Sequence, residues 1–523
     1  MSKTCLHVFC VVAVLCCMAP LSAELPGRLS VSGDRIVDDA GRTVILRGMN
    51  VGSKSQRDGH LSWQTPEDYH NLRRWGMTAI RYMIFWGAVE PKPGVYDEEY
   101  LRGVDERIAW ARDAGLHVIL DMHQDLWGFA VPGGNGMPDW ATLDDGQPHK
   151  TIGGAWSTAY FVSPKVHRAF DNFWANAPGP DGVGLQDRFA LAWRHVAERY
   201  RDDPTVIGFD ILNEPFIGSE IRRVAVDLWR AFPDIFMDAD MPKSAGEFFA
   251  SLKEEPYPGW FNRAMDEPKR HEHALSVIAP TLHAFEREKM MPMYRRVHAA
   301  VREVHPAGIF FLEPCVLANV GTPSAVEPLT DAAGMRDPLQ AYMPHFYDIT
   351  VDTSLAHAPS ENRLNVMMRN REAEAKRMGM PLLIGEWGAF YGNRNCGDAG
   401  RLMGEMLTRS TVGDFYWEYH KGMAGTSYFE SLDRPSAVAV GGVPERISLE
   451  RDNAAFVLEW TESPEVTAPT LVHLPDAWRG GKVQIEPAGP GHRFEPESRF
   501  TDTVRLVIPP AGNGARRVLT VTR

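Results

Sequence analysis

Two glutamates, Glu214 and Glu386, occupy the same kind of place in distant parts of the chain. Residues 206–212 are mostly apolar and read as a buried strand. Asn213, Glu214 and Pro215 follow where that strand must stop, because Pro215 has no N–H to continue a ladder. Residues 381–385 are a second such run, closed by Glu386 and Trp387. A carboxylate at the rim of a buried strand, walled by apolar surface, has its pKa raised and can donate a proton near neutral pH. One such Glu is as readily a plain loop residue beside the core. Two at matching strand ends form a pair that can divide the parts of proton donor and nucleophile.

A second constellation competes with that pair. Asp121, His123 and Asp125 alternate along one strand, so all three face the same side and offer metal-ligating atoms. No His/Asp cluster of comparable density closes another strand, which leaves metal-assisted hydrolysis as the subordinate reading. The expectation is no metal and no cofactor.

The elements that must position these residues alternate regularly. A hairpin over residues 30–45 leads into strand 44–50, followed by helix 66–75, strand 78–84, helix 98–114 and strand 117–123. Helix 189–200 precedes the strand ending at Glu214, and helix 293–304 precedes strand 308–313. Strands 341–346, 381–385 and 414–418 follow, with helices 361–378 and 401–407 between the last three. Eight strands alternating with helices predict a (β/α)8 TIM barrel over residues 24–434. Glu214 then ends strand four and Glu386 strand seven, over one mouth. Carboxylates facing across a cleft do glycoside chemistry, one protonating the leaving oxygen while the other attacks the anomeric carbon or activates water. Two long connections, 124–188 and 216–292, lie on the side where barrel active sites are built. Beyond residue 434 the helical period gives way to short alternating runs (446–449, 455–460, 470–474, 483–485, 503–508 and 517–521), which predict a small antiparallel β-sandwich over 435–523.

Residues 1–23 stand outside this fold. Lys3 is their only charged residue, an apolar run covers 8–19, and Leu21-Ser22-Ala23 ends in small residues, the pattern of a cleaved secretory signal. Leu15 directly before Cys16 disfavours a lipid-anchored alternative. Four of six cysteines leave with the leader, so Cys315 and Cys396 remain, as one bridge or two separate thiols. The chain carries no Asn-x-Ser/Thr acceptor, which favours a bacterial exported protein, secreted or periplasmic. Its formal charge of −13, or −14 without Lys3, excludes a nucleic-acid binder, and the expected state is a soluble monomer.

With these residues in place, the chain resembles the clan of retaining glycoside hydrolases whose acid/base and nucleophile glutamates end strands four and seven, and within it glycoside hydrolase family 5. Arg81 at the end of strand two, His123 at the end of strand three, Asn213 before Glu214, His345-Phe346-Tyr347 after strand six and Trp417 at the end of strand eight match that family. The resemblance implies Glu214 as acid/base and Glu386 as nucleophile. Asn213 could then hydrogen-bond a sugar 2-hydroxyl, and Arg81 and Tyr347 could hold Glu386 ionised and aimed. His123, Asp125 and His345 would hold hydroxyls or neighbouring groups, and Trp417 would offer a flat face to a pyranose. The bland alternatives are barrel core for Trp417 and a structural ion pair for Arg81.

The stretches 121–127, 133–140 and 213–219, with the C-terminal sandwich, are similar to the endoglycoceramidase branch of the family. That resemblance implies cleavage between the glycan and the ceramide of glycosphingolipids, and passing contact with a membrane or micelle. It would make Phe216, Ile217, Leu228, Trp229, Phe232, Ile235, Phe236 and Met237 candidates for a lipid groove, although apolar residues of a long insertion more often form its own core. Trp387 departs from the branch, where Phe more often follows the nucleophile. Alternatives are a steryl glucosidase, β-glucosidase or endoglucanase, and a non-catalytic glycan or lipid binder.

Overall fold

The computed structural model describes residues 27–152, 156–236, 247, 259–410, 413–450, 454–496 and 503–523. The leader over 1–23 and Met237 lie outside them. Among the described residues no helix is long and apolar enough to cross a membrane.

Eight parallel strands form one sheet: β1 (Leu46–Val51), β2 (Ala79–Ile84), β3 (His117–Met122), β4 (Val206–Asp210), β5 (Ile309–Leu312), β6 (Gln340–Tyr342), β7 (Leu383–Gly388) and β8 (Gly413–Trp417). Their spatial order, β7-β8-β1-β2-β3-β4-β5-β6, follows the chain around a ring. Single bridges from Tyr342 to Leu382 and from Phe346 to Trp387 join β6 to β7 and close it. Every residue of these strands is buried, which is why the sequence showed continuous apolar runs instead of alternation. The helices carry local stop and start signals. Asp97 caps helix Glu98–Ala114 by accepting from the N–H groups of Glu99 and Tyr100, and Gly115 ends it at φ +75°.

Inside the ring, Leu46, Ala79, Ile119, Ile207, Ile309, Ala341, Leu383 and Phe415 form an apolar floor. Leu29, Ile36 and Val44 of the N-terminal segment belong to the same cluster and plug that end. The polar residues sit above this floor, toward the C-terminal ends of the strands, where barrel sites lie. Two of the strands slip in register. Val118 faces Val206 but Ile119 faces Gly208, an extra residue in β4; Ile384 faces Asp414 but Trp387 faces Tyr416, an extra residue in β7. Such bulges re-aim side chains, and these two lie on the strands leading to Glu214 and Glu386.

The C-terminal part consists of a seven-stranded and a four-stranded antiparallel sheet. Phe456, Leu458, Trp460, Val472, Leu506, Leu519 and Val521 pack between them. The N-terminal hairpin, expected to lead into the barrel, pairs into this part instead: Thr43–Val44 lies antiparallel to Ser436–Val440. Strands Ser436–Val440 and Arg493–Pro496 had no counterpart in the sequence expectation. The 216–292 insertion contains helices Ile221–Phe236, Gly259–Asp266 and Pro268–Phe285.

Candidate active site

Arg81 is the hub of the mouth. Its Nη1 donates to Glu386 Oε1 at 2.7 Å and Asn50 Oδ1 at 2.9 Å, its Nη2 to Glu313 Oε1 at 2.7 Å and Asn213 Oδ1 at 2.9 Å, and its Nε to Asp210 Oδ2 at 2.8 Å. Asp121 Oδ1 lies 3.0 Å from Nη2. The fork of a guanidinium suits several oxygens held in fixed directions. A fully buried cation is retained because these carboxylates offset its desolvation.

Glu386 receives Arg81 on one oxygen and the Tyr347 hydroxyl, at 2.9 Å, on the other. Glu214 Oε1 accepts from Asn319 Nδ2 at 2.6 Å and lies 2.9 Å from His345 Nδ1. A carboxylate oxygen of Glu214, a ring nitrogen of His345 and a carboxylate oxygen of Glu386 all fall within 4.8 Å of one another. Burial, with the Glu214 charge adding to it, pushes the Glu386 carboxyl up to about 7, against the pull of His345 and Arg81. Burial pushes the His345 ring down, but Glu313, Glu386 and the hydrogen bond to Glu214 outweigh it and hold the ring well above the usual histidine range.

Asn213 is fixed by its neighbours. Its carbonyl oxygen accepts from Arg81 and its Nδ2 donates to Gln124 O at 3.0 Å, leaving one amide N–H for a substrate. Gln124 Nε2 in turn holds the carbonyls of Asn213 and Glu214 at 2.9 and 3.1 Å.

His123 Nδ1 pairs with Asp121 Oδ2 at 2.8 Å, and its Nε2 lies 3.6 Å from Asp125. Asp125 accepts from Lys54 Nζ at 2.5 Å and Asn135 Nδ2 at 2.7 Å. Cations thus already occupy the carboxylates of the Asp121-His123-Asp125 set: Arg81 sits on Asp121 and Lys54 on Asp125. That chemistry does not fit an added divalent ion. Trp417 lies parallel to His123 with centroids 5.3 Å apart, and Lys54 Nζ is 4.3 Å from its ring centre.

Arg81, His123, Asp125, Asn213, Glu214, His345, Tyr347, Glu386 and Trp417 are gathered at this mouth. Trp387 is not: its indole turns away from the mouth, buried, and donates to Asp414 Oδ2 at 3.0 Å. The lipid-groove candidates divide as well. Phe216 and Ile217 are buried in the barrel core, while Ile235 and Phe236 pack with Ala264, Met265 and Ala274, with Leu228 and Phe232 against them, as the insertion's own core. Sequence reasoning missed Asn50, Lys54, Asp210, Glu313 and Asn319. Glu313 carried the same signal as Glu386, an acidic residue closing an apolar strand.

This is the mouth of a β/α barrel built around two close glutamates and a buried arginine, the architecture of a glycoside hydrolase. The chain belongs to glycosyl hydrolase family 5: the family pattern described as Cellulase (glycosyl hydrolase family 5) covers residues 37–422, and that of the glycoside hydrolase family 5 C-terminal domain covers 434–521. Endoglycoceramidase I of Rhodococcus hoagii (strain 103S) is 25% identical over 487 residues, 88% of this chain and 84% of that protein. The structure of endo-glycoceramidase II from Rhodococcus sp. as its lactosyl-enzyme intermediate is 28% identical with a TM-score of 0.69, covering 93% of this chain and 98% of that one. Its ganglioside GM3 complex matches at 27% identity and a TM-score of 0.67, covering 94% and 99%.

Proposed function

We propose that the protein hydrolyses the β-glycosidic bond between oligosaccharide and ceramide in glycosphingolipids, with retention of anomeric configuration. The observation that carries the reading is the closeness of the glutamates, with carboxylate oxygens within 4.8 Å. Retaining glycosidases hold their carboxyl groups about 5–5.5 Å apart, and inverting ones leave room for a water at about 6.5–9.5 Å. The lactosyl-enzyme and ganglioside complexes of the Rhodococcus relative support the substrate class.

In this reading Glu386 is the nucleophile, aimed by Arg81 and Tyr347, and Glu214, held by Asn319 and His345, is the acid/base. Glu386 attacks the anomeric carbon while Glu214 protonates the departing ceramide oxygen, giving a glycosyl ester on Glu386 and neutral ceramide. A water enters, Glu214 takes its proton, and the hydroxide oxygen displaces Glu386 to release the sugar. The spare N–H of Asn213 donates to the sugar 2-hydroxyl, a contact that strengthens as positive charge grows on the ring. His123 and His345 lie within the same mouth to orient hydroxyls, and Trp417 with Lys54 and Asp125 forms one wall. The apolar leader of the sequence supports export, with a mature N-terminus at Glu24 to be read by intact mass. A monomer that touches micelles in passing is the working form; light scattering and detergent dependence test it.

Incubation with lactosylceramide and detergent tests the function. Release of intact lactose and free ceramide, with the β-anomer first in the proton spectrum, is expected. Stepwise release of single sugars, or turnover of soluble glucan alone, would discard the lipid substrate while keeping the two glutamates.

A further inference from the structure

Glu313 follows β5, buried at the centre of the mouth, and the mechanism above does not use it. Its two oxygens reach three parts of the machinery. Oε2 accepts the backbone N–H of Glu214 at 2.9 Å; Oε1 accepts Arg81 Nη2 at 2.7 Å and lies 3.0 Å from His345 Nε2. We propose that Glu313 is a positioning residue that sets the backbone of Glu214 and, through His345, decides which oxygen of Glu214 carries the transferable proton. The proposal rests on the assignment of Glu214 as acid/base.

The backbone argument comes first. Glu214 has φ +47°, in the left-handed region that a non-glycine residue keeps only when its surroundings hold it there. Gln124 holds its carbonyl, and Glu313 holds its N–H. Together they fix the peptide from both ends and so fix where the side chain leaves it.

The proton argument follows from donors and acceptors. Burial pushes the Glu313 carboxyl up, but the His345 and Arg81 charges outweigh it and hold it down, at about 2. A carboxylate only accepts, so His345 must present an N–H from Nε2. The groups facing this ring are Glu214 after β4, Glu313 after β5, Glu386 on β7 and the edge-on ring of Tyr347, with centroids 6.2 Å apart. The Glu313 and Glu386 charges beside one imidazole keep it doubly protonated, and Nδ1 then donates to Glu214 Oε1. Asn319 donates to that same oxygen. Among the described residues no side-chain donor is bonded to Oε2 of Glu214, so the acid's own proton belongs there, on the oxygen left free for the glycosidic bond. Asp210 completes the arrangement: burial and the Glu313 charge push its carboxyl well up, against the pull of Arg81.

Glu313→Gln and Glu313→Asp test this, each checked for folding by circular dichroism. Glu313→Gln lowers kcat/KM on lactosylceramide about 100-fold, the scale of a misplaced catalytic group. The loss is smaller on a dinitrophenyl β-lactoside, whose leaving group needs no proton. In 15N-histidine spectra, with the His345 signal assigned by His345→Asn, the ring is doubly protonated at pH 7 in the wild type and neutral in Glu313→Gln. Glu313→Asp retains the charge, so His345 stays protonated, while the shorter arm still costs about tenfold or more on lactosylceramide. Equal losses on both substrates with unchanged His345 spectra overturn the proposal, as does loss of folding in both variants, which makes Glu313 structural only. If the wild type turns over neither substrate, the proposed function fails, and the His345 spectra alone decide for or against Glu313.

Discussion

Replacing Glu214 by Gln removes a proton and a charge with almost no change of shape, and the geometry sets what each loss does. Two unit charges no more than 4.8 Å apart repel by roughly 3 kcal/mol or more at an effective dielectric near 20. At about 1.4 kcal/mol per pH unit, that repulsion is worth roughly two pH units on the Glu386 carboxyl, which burial and the Glu214 charge push up to about 7. Glu386 must be ionised to attack, so kcat/KM of the wild type falls below an acid limb near 7 on a dinitrophenyl β-lactoside, whose leaving group needs no proton. Glu214→Gln removes the Glu214 charge, so that limb moves to lower pH by roughly two units. On lactosylceramide, kcat falls about 10²–10⁴-fold, the usual worth of a general acid. Azide restores turnover of the activated substrate and yields a glycosyl azide, since an anion that needs no general base can resolve the intermediate. A variant whose acid limb stays in place on the activated substrate, or that loses both substrates equally, would refute the division of roles.

Tyr347→Phe removes the hydroxyl that donates to Glu386 Oε2, a hydrogen bond to a charged group worth about 1.5–3 kcal/mol. The carboxylate is then less favoured, so the acid limb moves to higher pH and kcat/KM at that limb drops about tenfold or more; an unmoved limb would contradict the contact. Trp387→Phe takes the indole N–H from Asp414, which keeps Arg434 at 2.7 Å. Urea unfolding should show a loss of about 1–2 kcal/mol with kcat/KM unchanged, and a large kinetic effect would place Trp387 in the site after all. Cys315 and Cys396 are both free and buried, so in a protein that begins at Glu24 a thiol reagent should titrate two groups after denaturation and almost none before.

The sequence made the barrel readable because parallel strands buried on both faces leave unbroken apolar runs, and acidic or aromatic residues closing those runs stand out. Glu214 and Glu386 were found that way, whereas Arg81 and Trp417 came from the resemblance to glycoside hydrolase family 5. Glu313 ends its strand in the same manner and was passed over, because one strand end does not reveal which side chains converge on a shared arginine. Lys54 and Asn319 sit on loops, where no periodicity marks them, and only the closed ring brings them to Asp125 and Glu214. The N-terminal hairpin was legible as a hairpin but not as a partner of Ser436–Val440, since pairing across almost four hundred residues leaves no local trace. Trp387, one residue past the nucleophile, stood out only as a departure from the endoglycoceramidase pattern; the pleat of β7 sends it outward to Asp414.

The most direct test of the double-displacement account is to trap the glycosyl-enzyme. A 2-deoxy-2-fluoro β-lactoside with a good leaving group slows breakdown of the intermediate more than its formation is needed to proceed, so the protein should gain one fluorolactosyl group. After proteolysis, mass spectrometry should place that group on Glu386. Label on another residue, or no label from a protein that releases the α-anomer of its product, would contradict the central claim.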